Sequence, residues 1–242
     1  MSTTLLEVTD RAVQFRIARP EKRNALSPEV SRAMRDALRE HRSTPRPFII
    51  SSSTPGIFVS GTDVGALRER TLDDSLARRN SEVFQQLEEH PWPTVAVVDG
   101  PALGGGCELA LACDLRLAST RSLWGLPEVR LGIIPSAGGL WRLPQLIGRS
   151  AATDLILTGR RIDGTEAHRL GLASRLVAPD ELDDALAILL DELNAAVPLA
   201  QRLAKEAMQV GPDRRRLVDA LAQATCLDTE DTQNRLFAFL ER

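Results

Sequence analysis

The sequence predicts an α/β fold that ends in a helical C-terminal segment. In the earlier part of the chain, short apolar runs bounded by turn residues alternate with longer amphipathic stretches, which is the pattern of strands and helices around one core. From residue 179 onward the pattern is mainly helical. The 242 residues, 43% of them apolar, suffice for such a core. We therefore divide the chain into a core of residues 1–195 and a C-terminal segment of residues 196–242.

The individual elements follow from local patterns. Residues 5–19 alternate apolar and polar side chains about a central turn, which predicts a β-hairpin. Ser27 and Pro28 are the residue types of a helix cap and first turn, and this helix is expected to end near His41. An amphipathic helix is predicted over residues 73–90. Further strands are predicted at 47–51, 94–98, 115–118 and 174–177, with a strand end or loop at 58–63. Further helices are predicted near 105–112, 137–147, 150–158 and 164–170.

Composition excludes several classes of function. The net charge of −3 argues against a general affinity for nucleic acid or for anionic membranes. No apolar stretch reaches the ~18 residues that a membrane span needs, and the N-terminus lacks the pattern of a signal peptide. Cys107, Cys113 and Cys226 have neither metal-site nor disulfide spacing, so we expect reduced thiols and a cytoplasmic location.

Three consecutive glycines, Gly104, Gly105 and Gly106, follow one predicted strand and open a helix. They lack the Gly-Lys-[Ser/Thr] ending of a phosphate loop and the spacing of a dinucleotide loop. One interpretation is an oxyanion site, in which free backbone N–H groups at the helix start bind a developing negative charge. The other is tight packing of the helix on the strand, and the glycines alone favour neither.

Two glutamates lie in mostly apolar surroundings. Glu108 belongs to an apolar run in the predicted helix after the glycines, and Glu128 follows Pro127 before another apolar run. A carboxyl group in a dry setting has a raised pKa, which suits proton transfer near neutral pH. The alternatives are that Glu108 marks a narrow solvent-facing strip of its helix and that Glu128 is an ordinary loop or helix-start acid.

Taken together, these segments resemble the enoyl-CoA hydratase/isomerase family, also called the crotonase family. Pro101-Ala-Leu-Gly-Gly-Gly-Cys-Glu is similar to the family's signature helix entry, and Gly125-Leu-Pro-Glu to its second acidic segment. The other segments that carry the resemblance are, in order, residues 19–26, 58–63, 132–139, 157–160, 167–172 and 237–241. The resemblance covers nearly the whole chain. It implies a crotonase-like ββα spiral core, with short strands in roughly perpendicular sheets, and a helical C-terminal segment that packs on the core or on a neighbouring subunit.

The resemblance also implies a role for each residue that matches the family's motifs. The backbone N–H groups of Thr62 and Gly105 would bind the thioester oxygen and stabilise an enolate. Glu108 and Glu128 would hold one water between them, with Glu108 as base toward that water and Glu128 moving the proton at the α-carbon. The implied substrate-binding residues are Ala25, Asp63, Val64, Gly65, Trp124 and Pro135.

Possession of both acids favours hydration of a 2-trans-enoyl-CoA, without any metal or redox cofactor. The alternatives are a 3,2-enoyl-CoA isomerase, another acyl-CoA lyase or hydrolase, or a non-catalytic paralogue that binds acyl-CoA or RNA. The resemblance further implies an acyl-CoA partner and a homotrimer or dimer of trimers, in which the C-terminal segment serves oligomerisation and completes the active site.

Several positions depart from the family's pattern. Thr62 stands where Ala is common, Trp124 stands where Phe is usual, and Leu140 with Trp141 replaces a common Thr-Gln pair. The segment of residues 43–53 is shorter than usual. These differences concern the choice of substrate more than the chemistry.

Overall fold

The computed structural model describes residues 3–62, 79–209, 218, 221, 223–232 and 234. Within these residues the strands are β1 Thr4–Val8, β2 Val13–Ile17, β3 Phe48–Ser52, β4 Thr94–Val98, β5 Pro101–Leu103, β6 Leu115–Ser119, β7 Leu123–Gly125, β8 Arg161–Asp163 and β9 Arg175–Val177. The α-helices are α1 Pro28–Glu40, α2 Arg79–Glu88, α3 Gly105–Leu111, α4 Gly139–Ile147, α5 Arg149–Thr158, α6 Gly164–Arg169, α7 Leu182–Ala195 and α8 Pro198–Met208. Short 3-10 helices lie at Pro20–Lys22, Pro127–Leu131 and Pro179–Glu181.

The larger sheet has six strands in the order β1-β2-β3-β4-β6-β9. Strands β1 and β2 form the predicted antiparallel hairpin, and every other neighbouring pair in this sheet is parallel. Parallel strands are covered on both faces, which explains their nearly continuous apolar runs. In β3, Phe48 and Ile50 face the main core, whereas Ile49 packs with Val95 of β4 and Leu189 of α7.

A second sheet of three strands has the order β5-β7-β8. Strand β5 is parallel to β7, and β7 is antiparallel to β8. Local sequence patterns did not predict these strands, each of which has only three residues. The family resemblance did imply more than one sheet. This small sheet lies where the chain enters α3, so it positions the glycine-rich turn.

Helices cover the sheets as their patterns predict. Helix α1 begins after Ser27, whose side chain accepts a hydrogen bond from the Val30 N–H, and it ends at Glu40, one residue before the predicted end. Val30, Met34 and Leu38 form its buried face at helical spacing. Helix α2 lies within the helix predicted at 73–90 and ends at Glu88, two residues before the predicted end, while residues 73–78 lie outside the described residues.

Helix α8 is tied to the larger sheet by a partly buried ion pair. Lys205 of α8 donates to Asp114 Oδ2 at 2.7 Å and to the Trp92 carbonyl oxygen at 3.3 Å. Asp114 also accepts hydrogen bonds from the backbone and the hydroxyl of Thr94. The division at residue 195, where α7 ends, stays a prediction. Within the described ranges no helix is long and apolar enough to cross a membrane.

Candidate active site

The entry to α3 is a sharp turn that only glycine adopts readily. Gly104 has φ +52° and ψ −123°, and its N–H donates to the Gly125 carbonyl at the end of β7 at 2.9 Å. A Cβ atom at this position would lie 2.9 Å from Glu128 Oε1. Gly104 therefore allows both the left-handed turn and the close approach of the second acid.

The next two glycines bring α3 against residues 59–62. A Cβ at Gly106 would lie 2.0 Å from the Val59 carbonyl oxygen, and one at Gly105 would lie 3.0 Å from Thr62 Oγ1. Val59 is itself fixed to β5, since its N–H donates to the Pro101 carbonyl at 2.9 Å. Tight packing and an oxyanion site were alternative interpretations of these glycines. Gly106 shows the tight packing directly, and that packing is what brings Gly105 next to Thr62.

Two backbone N–H groups meet at this contact. A Cβ at Gly105 would lie 3.7 Å from the Thr62 nitrogen, so the two residues are immediate neighbours. In the adjoining β-bridge between Leu26 and Thr62, the Leu26 N–H donates to the Gly61 carbonyl oxygen. The Thr62 N–H takes no part in that hydrogen bond. Among the described residues, no protein acceptor pairs with the N–H of Thr62 or of Gly105. Two free donors side by side can bind one anionic oxygen.

Glu108 is buried in the first turn of α3, so it does not mark a solvent-facing strip. The residue is 4% exposed, and its Oε1 accepts hydrogen bonds from the N–H groups of Ala137 at 2.7 Å and Gly139 at 2.9 Å. Burial raises the pKa of Glu108, while the two backbone donors and the positive charge of Arg142 act to lower it. Burial prevails, so the pKa of Glu108 is raised overall, and the two backbone donors hold its carboxyl group in place.

Glu128 lies in the first turn of the 3-10 helix Pro127–Leu131, so it is a helix-start acid but a buried one. Its Oε2 atom has no hydrogen-bond partner in the described part of the chain. Burial, followed by the negative charge of Glu108, raises the pKa of Glu128 to about 7, although a hydrogen bond from its own backbone lowers it. An acid with this pKa exchanges its proton readily near neutral pH.

The two carboxyl groups thus differ in environment although they interact electrostatically. Glu108 is surrounded by donors that stabilise its ionised form, and Glu128 has an unpaired oxygen that favours its protonated form. Two acids whose environments separate their roles can act as base and acid in one reaction. The neighbouring Cys107 thiol is buried and its pKa is raised, so it stays protonated beside them.

A cavity of about 620 Å³ reaches Thr62 and Leu103, the residue before this turn, whereas Gly105, Glu108 and Glu128 are not among the described residues that line it. Ala25, a predicted substrate-binding residue, and Thr62, a predicted oxyanion-hole residue, both line it, and Leu103 of β5 contributes an apolar wall. Lys22, Arg23 and Arg161 also line it, so positive charge lies along its course. Lys22 and Arg23 belong to residues 19–26, one of the segments that carry the family resemblance. Arg161 was not predicted, because β8 is too short to be recognised from the sequence.

Other predicted substrate-binding residues have different surroundings. Pro135 is buried beside Gly139, since a Cβ atom added at Gly139 would lie 3.0 Å from the Cβ of Pro135. Trp124 has no exposed surface, and its indole N–H donates to Ser122 Oγ at 3.0 Å within the main core. The predicted substrate contacts of Asp63, Val64 and Gly65 lie outside the described residues.

Residues that the sequence did not single out complete the site. Ala137 and Gly139 supply the donors to Glu108, and Arg142 contacts the loop that carries them. A signal for Arg142 was present, because it is the one charged residue in the otherwise apolar sequence of α4. A charge in such a helix is expected to be paired.

Comparison with known proteins gives consistent matches. A family model described as "Enoyl-CoA hydratase/isomerase" matches residues 8–242. The crotonyl-CoA hydratase of Syntrophomonas wolfei is 35% identical, over 98% of this chain and 95% of that protein. The short-chain-enoyl-CoA hydratase of Clostridium acetobutylicum is 33% identical, over 100% of this chain and 96% of its own. The crystal structure of an enoyl-CoA hydratase from Bacillus anthracis superimposes with a TM-score of 0.94 at 31% identity, covering 99% of this chain and 96% of that one.

Proposed function

Because this chain belongs to the enoyl-CoA hydratase/isomerase family, we propose that it is an enoyl-CoA hydratase. The proposed reaction is the reversible syn-addition of water to a 2-trans-enoyl-CoA, which gives a 3-hydroxyacyl-CoA. One observation carries the proposal. Glu108, which accepts two backbone hydrogen bonds, lies in the first turn of the helix that begins at Gly105, and Glu128, which has a raised pKa, approaches Gly104, next to the neighbouring free N–H groups of Thr62 and Gly105.

The free N–H groups of Thr62 and Gly105 supply the electrostatic part of this proposal. The thioester carbonyl oxygen would accept from both donors, which would hold the negative charge that moves onto it when C3 is attacked. Such preorganised donors stabilise an enolate more than they stabilise the ground state, and this difference lowers the barrier.

The carboxyl groups supply the proton transfers. Ionised Glu108 would remove a proton from water as the water oxygen forms its bond to C3, and the C2–C3 π electrons would pass into the enolate. Protonated Glu128 would then give its proton to C2 as the carbonyl re-forms. Proton exchange between the two carboxyl groups through incoming water would restore the starting state. A carboxyl pKa of about 7 at Glu128 supports this assignment of acid and base.

The proposed substrate is an acyl-CoA thioester whose coenzyme A part occupies the cavity of about 620 Å³. Lys22, Arg23 and Arg161 would lie near its phosphate groups, since cationic side chains pair with phosphate oxygens. The chemistry uses only carboxyl and backbone groups, so we propose no metal or redox cofactor. A homotrimer or dimer of trimers and a cytoplasmic location remain parts of the proposal, which light scattering and fractionation of cells can test.

The test is turnover of crotonyl-CoA and longer 2-trans-enoyl-CoAs, followed by loss of enoyl absorbance and by identification of the 3-hydroxy product. Glu40→Gln is a matched control, because Glu40 is exposed at the end of α1. We expect wild type and this control to hydrate at equal rates. Failure to hydrate an enoyl-CoA of any chain length would overturn the proposal. Isomerisation of 3-enoyl-CoA that persists in Glu108→Gln would favour the isomerase alternative, since Glu128 alone could move that proton.

A further inference from the structure

The position of the Glu108 carboxylate is set by a loop outside its own helix. Both donors to Oε1 come from residues 137–139, which lead into α4. Among the described residues, no group of α3 itself donates a hydrogen bond to the Glu108 carboxylate. Any shift of this loop would therefore move or weaken both hydrogen bonds to Glu108 together.

Arg142 holds this loop through its side chain and its backbone. Its Nη1 donates to the Ala137 carbonyl oxygen at 3.0 Å, and its backbone N–H donates to the Gly138 carbonyl at 3.0 Å. Gly138 has φ +122°, and a Cβ there would lie 1.8 Å from Arg142 Nη1. Ala137 is thus bound on one side to the Glu108 carboxylate through its N–H and on the other to a guanidinium through its carbonyl.

The guanidinium of Arg142 is itself fixed. Arg142 is 3% exposed, and its Nη2 and Nε donate to Glu88 Oε2 at 2.6 and 3.2 Å. Its Cζ atom also lies 5.1 Å from the centre of the Trp141 ring. A buried charge is costly unless it is paired and hydrogen-bonded, and Glu88 of α2 provides that partner. The chain Glu88–Arg142–Ala137–Glu108 is continuous in hydrogen bonds.

We infer that Arg142 is a positioning residue for Glu108. Arg142 fixes the loop of residues 137–139 and supplies positive charge near the Glu108 carboxylate, and Glu88 is the counter-ion of Arg142. This inference rests on the proposed function of Glu108 as the base toward water. The titratable groups that interact electrostatically with the Glu108 carboxyl are Glu128, Cys107 and Arg142. Of these, Arg142 is the cation, and its charge lowers the pKa of Glu108.

The variants Arg142→Gln and Arg142→Lys separate charge from geometry. Arg142→Gln removes the charge, so we expect kcat to fall by at least about tenfold, as for other supporting partners of functional residues. The acidic limb of the kcat/KM profile should move to higher pH, because Glu108 then ionises less readily. KM should change by less than about threefold, since Arg142 does not line the coenzyme A cavity. Arg142→Lys restores the charge, so its acidic limb should return toward that of wild type while kcat recovers only in part.

Two further variants keep the test decisive. Arg116→Gln is the matched control, because Arg116 is a similarly buried arginine that donates to the Cys113 and Leu172 carbonyls and not to the Glu108 loop. We expect it to lower the melting temperature without moving the acidic limb. Glu88→Gln keeps Arg142 but neutralises its partner, and we expect a smaller loss of kcat than in Arg142→Gln.

The result that would overturn the inference is a folded Arg142→Gln enzyme with the kcat and acidic limb of wild type. An equal shift of the limb in Arg116→Gln would also overturn it, because the effect would then come from general destabilisation. Titration of the carboxyl signals in protein with carbon-13-labelled glutamate, assigned with Glu108→Gln, measures the Glu108 pKa without turnover. If wild type hydrates no enoyl-CoA, the proposed function fails, yet this titration still tests whether Arg142 acts on Glu108.

Discussion

Burial, and to a smaller extent the negative charge of Glu108, raises the pKa of Glu128, although the two glutamates lie twenty positions apart on different elements. Glu108 accepts two backbone hydrogen bonds, whereas one oxygen of Glu128 is unpaired among the described residues. Ionisation of the first acid therefore favours protonation of the second. This asymmetry gives the site a base and an acid at the same pH, and the predictions below depend on it.

The pH dependence of hydration should show a basic limb near pH 7. Hydration needs a protonated Glu128, whose pKa is raised to about 7, so kcat/KM should fall above that pH. Because the two carboxyl groups interact, the apparent pKa of this limb is a property of the pair and not of Glu128 alone. The measurement is kcat/KM for crotonyl-CoA across the pH range in which the protein stays folded. A rate that is constant from pH 6 to about pH 9 would contradict the assignment of Glu128 as the acid.

The stability of the fold should also depend on Glu128. Its pKa is raised from 4.5 to about 7, so between these values the folded state binds more protons than the unfolded chain. The Glu128 contribution to the free energy of unfolding therefore falls as pH rises through that interval. In Glu128→Gln this contribution is absent, so the variant should lose less stability than wild type between pH 5 and pH 7. Chemical denaturation at both values measures the difference, and parallel changes in the two proteins would refute it.

Gly106→Ala should disrupt the contact between α3 and residues 59–62. The added Cβ would lie 2.0 Å from the Val59 carbonyl oxygen, which is backbone and is fixed in a bridge to β5. We expect a loss of stability of roughly 3 kcal/mol or more, as for severe overpacking, together with loss of hydration. Gly148→Ala is the control, because Gly148 has φ +76° but open space around it. Its cost should be limited to the backbone strain of about 1–3 kcal/mol, with hydration retained.

Trp124→Phe tests whether the departure from the family's usual residue affects the substrate. Trp124 is fully buried and bonded to Ser122, so the substitution removes a hydrogen bond and leaves a small void. We expect a loss of about 1–3 kcal/mol in the free energy of unfolding. Comparison of kcat/KM for crotonyl-CoA and longer enoyl-CoAs shows whether the acyl preference changes as well. An altered preference would support the predicted role in substrate binding, and an unchanged one would limit Trp124 to the core.

Much of the larger sheet could be predicted from local patterns. The hairpin of residues 5–19 and the cap at Ser27 have signals within a few residues, and the apolar runs of β3, β4 and β6 reflect burial on both faces. The family and its crotonase-like fold, predicted from ordered motifs, are confirmed by the match over residues 8–242 and by the structural superposition.

The rest of the site depends on contacts between distant parts of the chain. The partners of Glu108 lie 29 and 31 positions away, and no local pattern links an acid to donors at that separation. Strands β5, β7 and β8 have three residues each, and no local pattern identified them. The roles of Thr62 and Gly105 came from the resemblance, and the structure adds their proximity. The role of Arg142 became visible only through its hydrogen bonds.

The central claim is that Glu108 and Glu128 act as one unit on a single water and the substrate. The most direct measurement is kcat for crotonyl-CoA in Glu108→Gln, Glu128→Gln and the double variant, with folding checked by circular dichroism. Each single variant should lose roughly a hundredfold or more, because each removes one proton transfer. The double variant should be within about tenfold of the slower single variant, since groups that act together are non-additive. Either folded single variant within about tenfold of the wild-type kcat would contradict the two-acid account.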